Sequence, residues 1–315
     1  MRVLRTGLFA RTLLSSSRTV CASTLDGACG SSMGPKSIET VFPVQRAHWV
    51  GDGFNVYPVF GDKAFTNDVS PFLMFDYGAP KRFEPTTKRR GVGTHPHRGF
   101  ETVTLALQGE IEHGDHIGNK DVIGGGGVQW MTAGRGIIHE EFHSTDFAQK
   151  GGVLEMCQLW VNLPKRDKMN PPKYQPYSCA EVPRSKFAGG YVRVIAGATG
   201  GIRGAATTHS PISLFHVVVD EADATVELAS PAGHTALLFL CKGSASVAGT
   251  PLQVAQVIKM KKDGDTVVFT ATKGTELILM GGQPLHEPIA NHGPFVMNTQ
   301  AELNQAFEDY HAGKF

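Results

Sequence analysis

Two short motifs in this chain carry side chains suited to holding a metal ion. His95-Pro96-His97 lies in GVGTHPHRGFETVTLALQGEIEH, and His139-Glu140-Glu141 lies in GGGVQWMTAGRGIIHEEFHS. Each motif sets two donors at i and i+2, and residues two apart on a β-strand share a face. Two such strands facing each other across a barrel would bring three imidazoles and one carboxylate to one point. Neutral imidazole suits iron, copper, nickel and zinc, and the Glu141 carboxylate moves the preference from thiolate-type zinc toward iron or manganese. A lone His-x-His is commonly a surface or core feature. Two pairs 42 residues apart, each beside a glycine turn, point instead to one site. Pro96 belongs at an edge, a strand start or a bulge, because it has no N–H for a ladder. If 95–107 is one strand, Gly99 and Glu101 share the face of His95 and His97.

The elements that must position these donors read as short strands. The 37 glycines and 18 prolines punctuate tight turns, and runs such as Thr102–Leu107 and Val153–Val161 have the composition of strands, so an all-β plan is expected. Between 166 and 184 the chain is polar and proline-rich and reads as a linker between two lobes. The second half then echoes the first: LFLCKGSASV, a glycine turn and TVVFTATKG repeat the order of LALQGEIEH, a glycine turn and VQWMTAGRG. Aligning Gly109 with Gly243 puts Ala229 and Pro231 where His95 and His97 stand, so the second lobe is expected to be metal-free. The chain ends in a helix. Thr299 and Glu302 have capping-box spacing, and Leu303, Ala306, Phe307 and Tyr310 form one apolar face.

Composition narrows the function classes. The first 25 residues hold Arg2, Arg5, Arg11 and Arg18 with a serine cluster and no acid before Asp26, the pattern of a mitochondrial transit peptide. Residues 1–36 are therefore expected to be a presequence and the protein mitochondrial, with cytoplasm or nucleus as alternatives. Without them the chain has 25 basic and 28 acidic residues, a net −3 that offers no bulk attraction for nucleic acid. No run approaches the ~18 apolar residues of a membrane span. Five cysteines without CxxC spacing suggest neither a zinc knuckle nor a disulfide framework, and Cys157 and Cys241 read as reduced core residues.

The stretch HPHRGFETVT, with QWMTAGRGIIHEEFHS downstream, resembles the pirin family of the cupin superfamily. SPFLMFDYGAP, QLWVNLP and GQPLHEPIANHGPFVMNT extend the resemblance over about residues 40–315. It implies two stacked cupin jelly-roll barrels: a metal-bearing domain over 37–165, the linker 166–184, and a metal-free domain over 185–315 ending in the helix. It implies a mononuclear iron held by His95, His97, His139 and Glu141. Fe(II) is expected, with other divalent transition metals left open by the spacing. Glu101 is then left outside the ligand set, as a group that orients a ligand imidazole. Pirins usually carry Pro-Gly-Asp where this chain has Gly125-Gly126-Gly127, which is expected to loosen that turn. His113, His116 and His143 lie near the motifs, and His116 reads as a solvated loop residue of HGDHIGNKD. His143 shares the parity of His139 and Glu141 and is expected to border the site.

Some pirins act as quercetin 2,3-dioxygenases, so the resemblance implies an oxidoreductase that cleaves a flavonol-like enol with dioxygen. Glu141 would be the catalytic proton acceptor. Animal pirins are nuclear iron proteins that act as transcriptional coregulators. That implies the alternative of a non-catalytic, redox-sensing protein with a regulatory protein partner. A metal that only stabilises the first lobe is the third reading. The resemblance also implies a monomer.

Overall fold

The chain is described by a computed structural model over residues 33–61 and 65–315. The alternating runs form strands, as their period of two requires. In the first half these are β1 (Ile38–Phe42), β2 (His48–Val50), β3 (Phe54–Phe60), β4 (Phe72–Phe83), β5 (Gly91–His97), β6 (Phe100–Gln108), β7 (Ile111–Asp115), β8 (Lys120–Ile123), β9 (Val128–Thr132), β10 (Ile137–His143), β11 (Gly152–Asn162) and β12 (Lys173–Tyr177). A seven-stranded sheet runs β12-β9-β6-β11-β4-β3-β2, and a four-stranded sheet runs β5-β10-β7-β8. Both are antiparallel, and together they make a cupin barrel. The second half builds another seven-stranded and another four-stranded sheet, matching the expected duplication. The protein is all-β with two cupin barrels. Among the described residues the α-helices are α1 (Thr145–Lys150) and the C-terminal α2 (Gln300–His311). The capping box of α2 forms: Thr299 Oγ1 accepts from the Glu302 N–H, and the Glu302 carboxylate accepts from the Thr299 N–H.

The two large sheets pack face to face. Phe75, Tyr77, Leu105 and Trp130 of the first lobe share one buried cluster with Phe239, Ile278 and Met280 of the second. Cys157 and Cys241 are free and buried in that cluster, as expected. The interior of the second barrel is apolar throughout its cluster, with Phe215, Leu238, Leu240, Phe269 and Leu279 buried together.

The lobes do not follow the expected boundaries. β1 pairs with Val257–Met260, so the first strand among the described residues lies in the second lobe's sheet. Lys36 is also part of the folded body. It is buried, and its Nζ donates to the carbonyls of Pro231, Asp263 and Gly264. Lys36, inside the expected presequence, is thus part of the folded body, and residues 1–32 of that presequence lie outside the described residues. Nor is 166–184 a bare linker. β12 pairs with β9 at the edge of the first lobe's large sheet, with Gln175 opposite Trp130. Pro176 is tolerated there because an edge strand can leave one side of its backbone unpaired. Finally, α2 belongs spatially to the first lobe. Arg98 bridges to Phe295 and its Nη1 lies 2.9 Å from Asp309 Oδ2, while buried Lys168 donates to the carbonyls of Gly99 and Val296. Each barrel therefore borrows a terminal segment from the other half of the chain. Periodicity reports only which residues are strand, and not which sheet a strand joins.

Candidate metal centre

β5 and β10 carry the histidines as hydrogen-bonded neighbours. They do not face each other across the barrel, as had been expected. His95 lies directly opposite His139, and His97 opposite Ile137. Directly opposed residues of an antiparallel pair hold their side chains within about 5.5 Å. Ring centroids are 4.3 Å apart for His95 and His139, and 4.9 Å for both His97–His139 and His95–His97. One ring nitrogen from each of the three lies within 4.8 Å of the others.

The donor chemistry fits a transition metal. His95 Nδ1 is 2.8 Å from the Gly93 carbonyl, which can only accept, so Nδ1 carries the proton and Nε2 its lone pair. His97 Nδ1 and both ring nitrogens of His139 are buried without a hydrogen-bond partner. Each such orphan costs about 1–3 kcal/mol, so their convergence calls for an electrophile. Burial first, then the neighbouring His95, pushes His97 down to about 3. Burial, then His97 and His95, holds His139 well below the usual imidazole range. Both are therefore neutral at physiological pH, the form that ligates a metal.

Glu141 lies apart from this trio. A register shift falls between His139 and Glu141, which pairs with Val92. Its Oε1 accepts from Thr104 Oγ1 at 3.1 Å and from Gln129 Nε2 at 2.8 Å. It nevertheless lines the same cavity as His95 and His97, a space of about 330 Å³ walled by Phe54, Val56, Met156 and Trp160. Of the four expected ligands, the structure draws three together and holds the fourth on the cavity wall.

Glu101 departs further from expectation, because 95–107 is not one strand. The chain breaks at Gly99, whose φ is +87° and whose missing Cβ would lie 2.0 Å from the Val296 carbonyl oxygen. β6 then enters the other sheet. Glu101 is buried, accepts from Thr132 Oγ1 at 2.7 Å, stands 3.9 Å from His209 Nε2, and orients no ligand imidazole. Burial pushes its carboxyl from an ordinary value of 4.5 up to about 7. A pKa raised by folding contributes stability that is fully present below pH 4.5 and is lost as pH rises through about 7. Glu101→Gln removes that loss. Urea unfolding from pH 4 to 8 should show the variant gaining on wild type by up to about 3 kcal/mol at the alkaline end. A difference independent of pH would contradict this.

Other expected features settle differently. His116 is exposed, as predicted, and its Nδ1 accepts from the Ile138 N–H. His113 is buried beside the centre, 3.1 Å from Asp115 Oδ2 and stacked on Tyr174. His143 does not border the site. It sits among Phe54, Phe83 and Phe147 with Nε2 against the Gly53 carbonyl. The Gly125–Gly127 turn is not loosened, because Arg193 of the second lobe donates to the Gly126 carbonyl and the Gly126 N–H donates to Ala106. The polar residues of the barrel wall, Thr104, Gln129 and Gln158, were missed. Their signal was a single polar residue between two apolar ones in a strand, as in Val103-Thr104-Leu105, Val128-Gln129-Trp130 and Cys157-Gln158-Leu159.

Fold and site together define a two-barrel cupin with a three-histidine centre in one barrel. The chain belongs to the pirin family: the pirin profile matches residues 53–161, and that of the pirin C-terminal cupin domain matches 216–315. It is 45% identical over 282 residues to a Pseudomonas aeruginosa protein provisionally named a quercetin 2,3-dioxygenase, covering 89% of this chain and 98% of that protein. It is 37% identical over 276 residues to a pirin-like protein of Solanum lycopersicum, covering 85% and 89% respectively. The crystal structure of quercetin 2,3-dioxygenase from Acinetobacter baumannii matches with a TM-score of 0.85 at 44% identity, over 90% of this chain and 99% of that one.

Proposed function

We propose that this protein is a mononuclear non-haem iron dioxygenase of the quercetin 2,3-dioxygenase type, acting on flavonol-like enols. The observation that carries the reading is the convergence of three imidazoles, two of them neutral and buried with unpaired nitrogens, beside a largely apolar cavity of about 330 Å³ that His95 and His97 line. His95, His97, His139 and Glu141 form the ligand set, with Fe(II) as the resident metal. Bound there, the metal supplies Lewis-acid polarisation of a chelating oxygen and a redox partner for dioxygen.

The protein's own part is placement. Phe54, Val56, Met156 and Trp160 offer an apolar slot for an aromatic body and keep bulk water from the reacting atoms. Glu141 Oε1 already accepts two hydrogen bonds, so Oε2 is the atom at which the hydroxyl proton of an enol is taken up. The test is aerobic turnover of quercetin by the iron-loaded protein beside a His97→Ala control. Turnover by wild type and its loss in the variant are expected, and equal rates in both would overturn the reading.

A further inference from the structure

A polar row crosses the floor of the metal-side barrel at right angles to its strands. Gln129 on β9, Thr104 on β6, Gln158 on β11 and Asp76 on β4 are direct cross-strand partners in succession. Every sequence neighbour of these four points the other way: Val128, Trp130, Val103, Leu105, Cys157, Leu159, Phe75 and Tyr77 all lie in the core between the lobes. The second barrel fills its interior with hydrocarbon instead. An amide or hydroxyl left unpaired in such an interior costs about 1–3 kcal/mol, so an internal polar row persists only where its members satisfy each other.

Gln129, Thr104 and Gln158 do so around Glu141. Gln129 Nε2 donates to Thr104 Oγ1 at 2.9 Å and to Glu141 Oε1 at 2.8 Å. The Thr104 hydroxyl has one proton and lies 2.7 Å from Gln158 Oε1 and 3.1 Å from Glu141 Oε1; with the Gln158 amide turned so that its NH2 faces Thr104, that proton goes to Glu141. Tyr174 OH donates to Gln129 Oε1 at 3.2 Å, which fixes the sense of that amide and turns its NH2 toward the carboxylate. Thr104 and Gln129 thus converge on one oxygen of Glu141, and neither reaches the other.

We propose that Thr104 and Gln129 are positioning residues of the metal centre. They pin Glu141 Oε1 to the barrel floor and so reserve Oε2 for the metal and for substrate. The inference rests on the reading of His95, His97, His139 and Glu141 as a metal site, and not on the identity of the reaction. A carboxylate without its two anchors rotates freely and must be ordered when the metal binds. Outer hydrogen-bond partners of ligands contribute about 10–100-fold to metal affinity.

The test is calorimetric titration of the metal-free full-length protein with Ni(II), repeated with Fe(II) under anaerobic conditions. Thr104→Val and Gln129→Leu are each expected to weaken binding about tenfold, whereas Thr104→Ser, which keeps the hydroxyl, stays within about threefold of wild type. Melting of the metal-free variants shows whether each is folded, and the Gln129 variant carries the test if the Thr104 core does not accept valine. Wild-type affinity in both Thr104→Val and Gln129→Leu, with affinity lost in Glu141→Ala, would overturn the positioning role and leave the metal site standing. Equal losses in Thr104→Ser and Thr104→Val would also overturn it, because the hydroxyl would then not be the agent. Absence of metal binding by wild type would overturn the site and the positioning role together.

Discussion

Replacing His139 with leucine is expected to abolish metal binding and, at the same time, to raise the melting temperature of the metal-free protein. The two effects have opposite signs for one reason. His139 is only 1% exposed, neither ring nitrogen has a hydrogen-bond partner, and the rings of His95, His97 and His113 surround it. Without metal, that imidazole is a buried polar group with nothing to bond. Leucine, of similar bulk, removes a penalty of about 1–3 kcal/mol. With metal, the same lone pair is a ligand. Its loss should exceed the roughly 10–100-fold cost of removing an outer hydrogen-bond partner. Wild type saturated at a thousand times its Kd gains about 4 kcal/mol from mass action, and the variant gains almost none. Calorimetric melting with and without Ni(II) reads both effects. A metal-induced rise as large in His139→Leu as in wild type would refute the assignment of His139.

Phe239→Ala in the second lobe is expected to unfold the first lobe early. Phe239 is fully buried, and its ring centroid lies 5.0 Å from those of both Phe75 and Tyr77 across the lobe boundary. Deleting a buried phenyl ring costs about 3–5 kcal/mol. The core it leaves is shared: Tyr77 OH also lies 3.1 Å from the carbonyl oxygen of Cys241, and β1 and α2 tie each lobe to the far end of the chain. All three tryptophans, Trp49, Trp130 and Trp160, belong to the first lobe, so their fluorescence reports that lobe alone. Urea unfolding followed by tryptophan emission should move to lower denaturant in the variant and coincide with the far-ultraviolet circular dichroism transition. A tryptophan transition left at the wild-type midpoint would mean that the lobes unfold independently.

Much of this protein was legible in its sequence because a strand writes its two faces into alternate residues. That period marked the all-β plan, the repeated order of strands and glycine turns marked the duplication, and the i to i+3 spacing of Thr299 and Glu302 marked the capping box. The period also singled out His95, His97 and His139 as donors, since a pair at i and i+2 on one strand stays together wherever the strand goes. Contacts between distant strands are not local, and these only the tertiary structure decided. It made β5 and β10 neighbours in one sheet where opposite walls had been expected. It broke the strand at Gly99, because the backbone of Val296 approaches there too closely for a side chain, and so turned Glu101 into the interlobe core. It gave β1 to the second lobe and α2 to the first, and it held Glu141 on Thr104 and Gln129, two residues from other strands. Local pattern determines which face of a strand a side chain takes. Which strands lie side by side depends on how whole sheets bury their apolar faces, and that balance is settled only when the chain closes on itself.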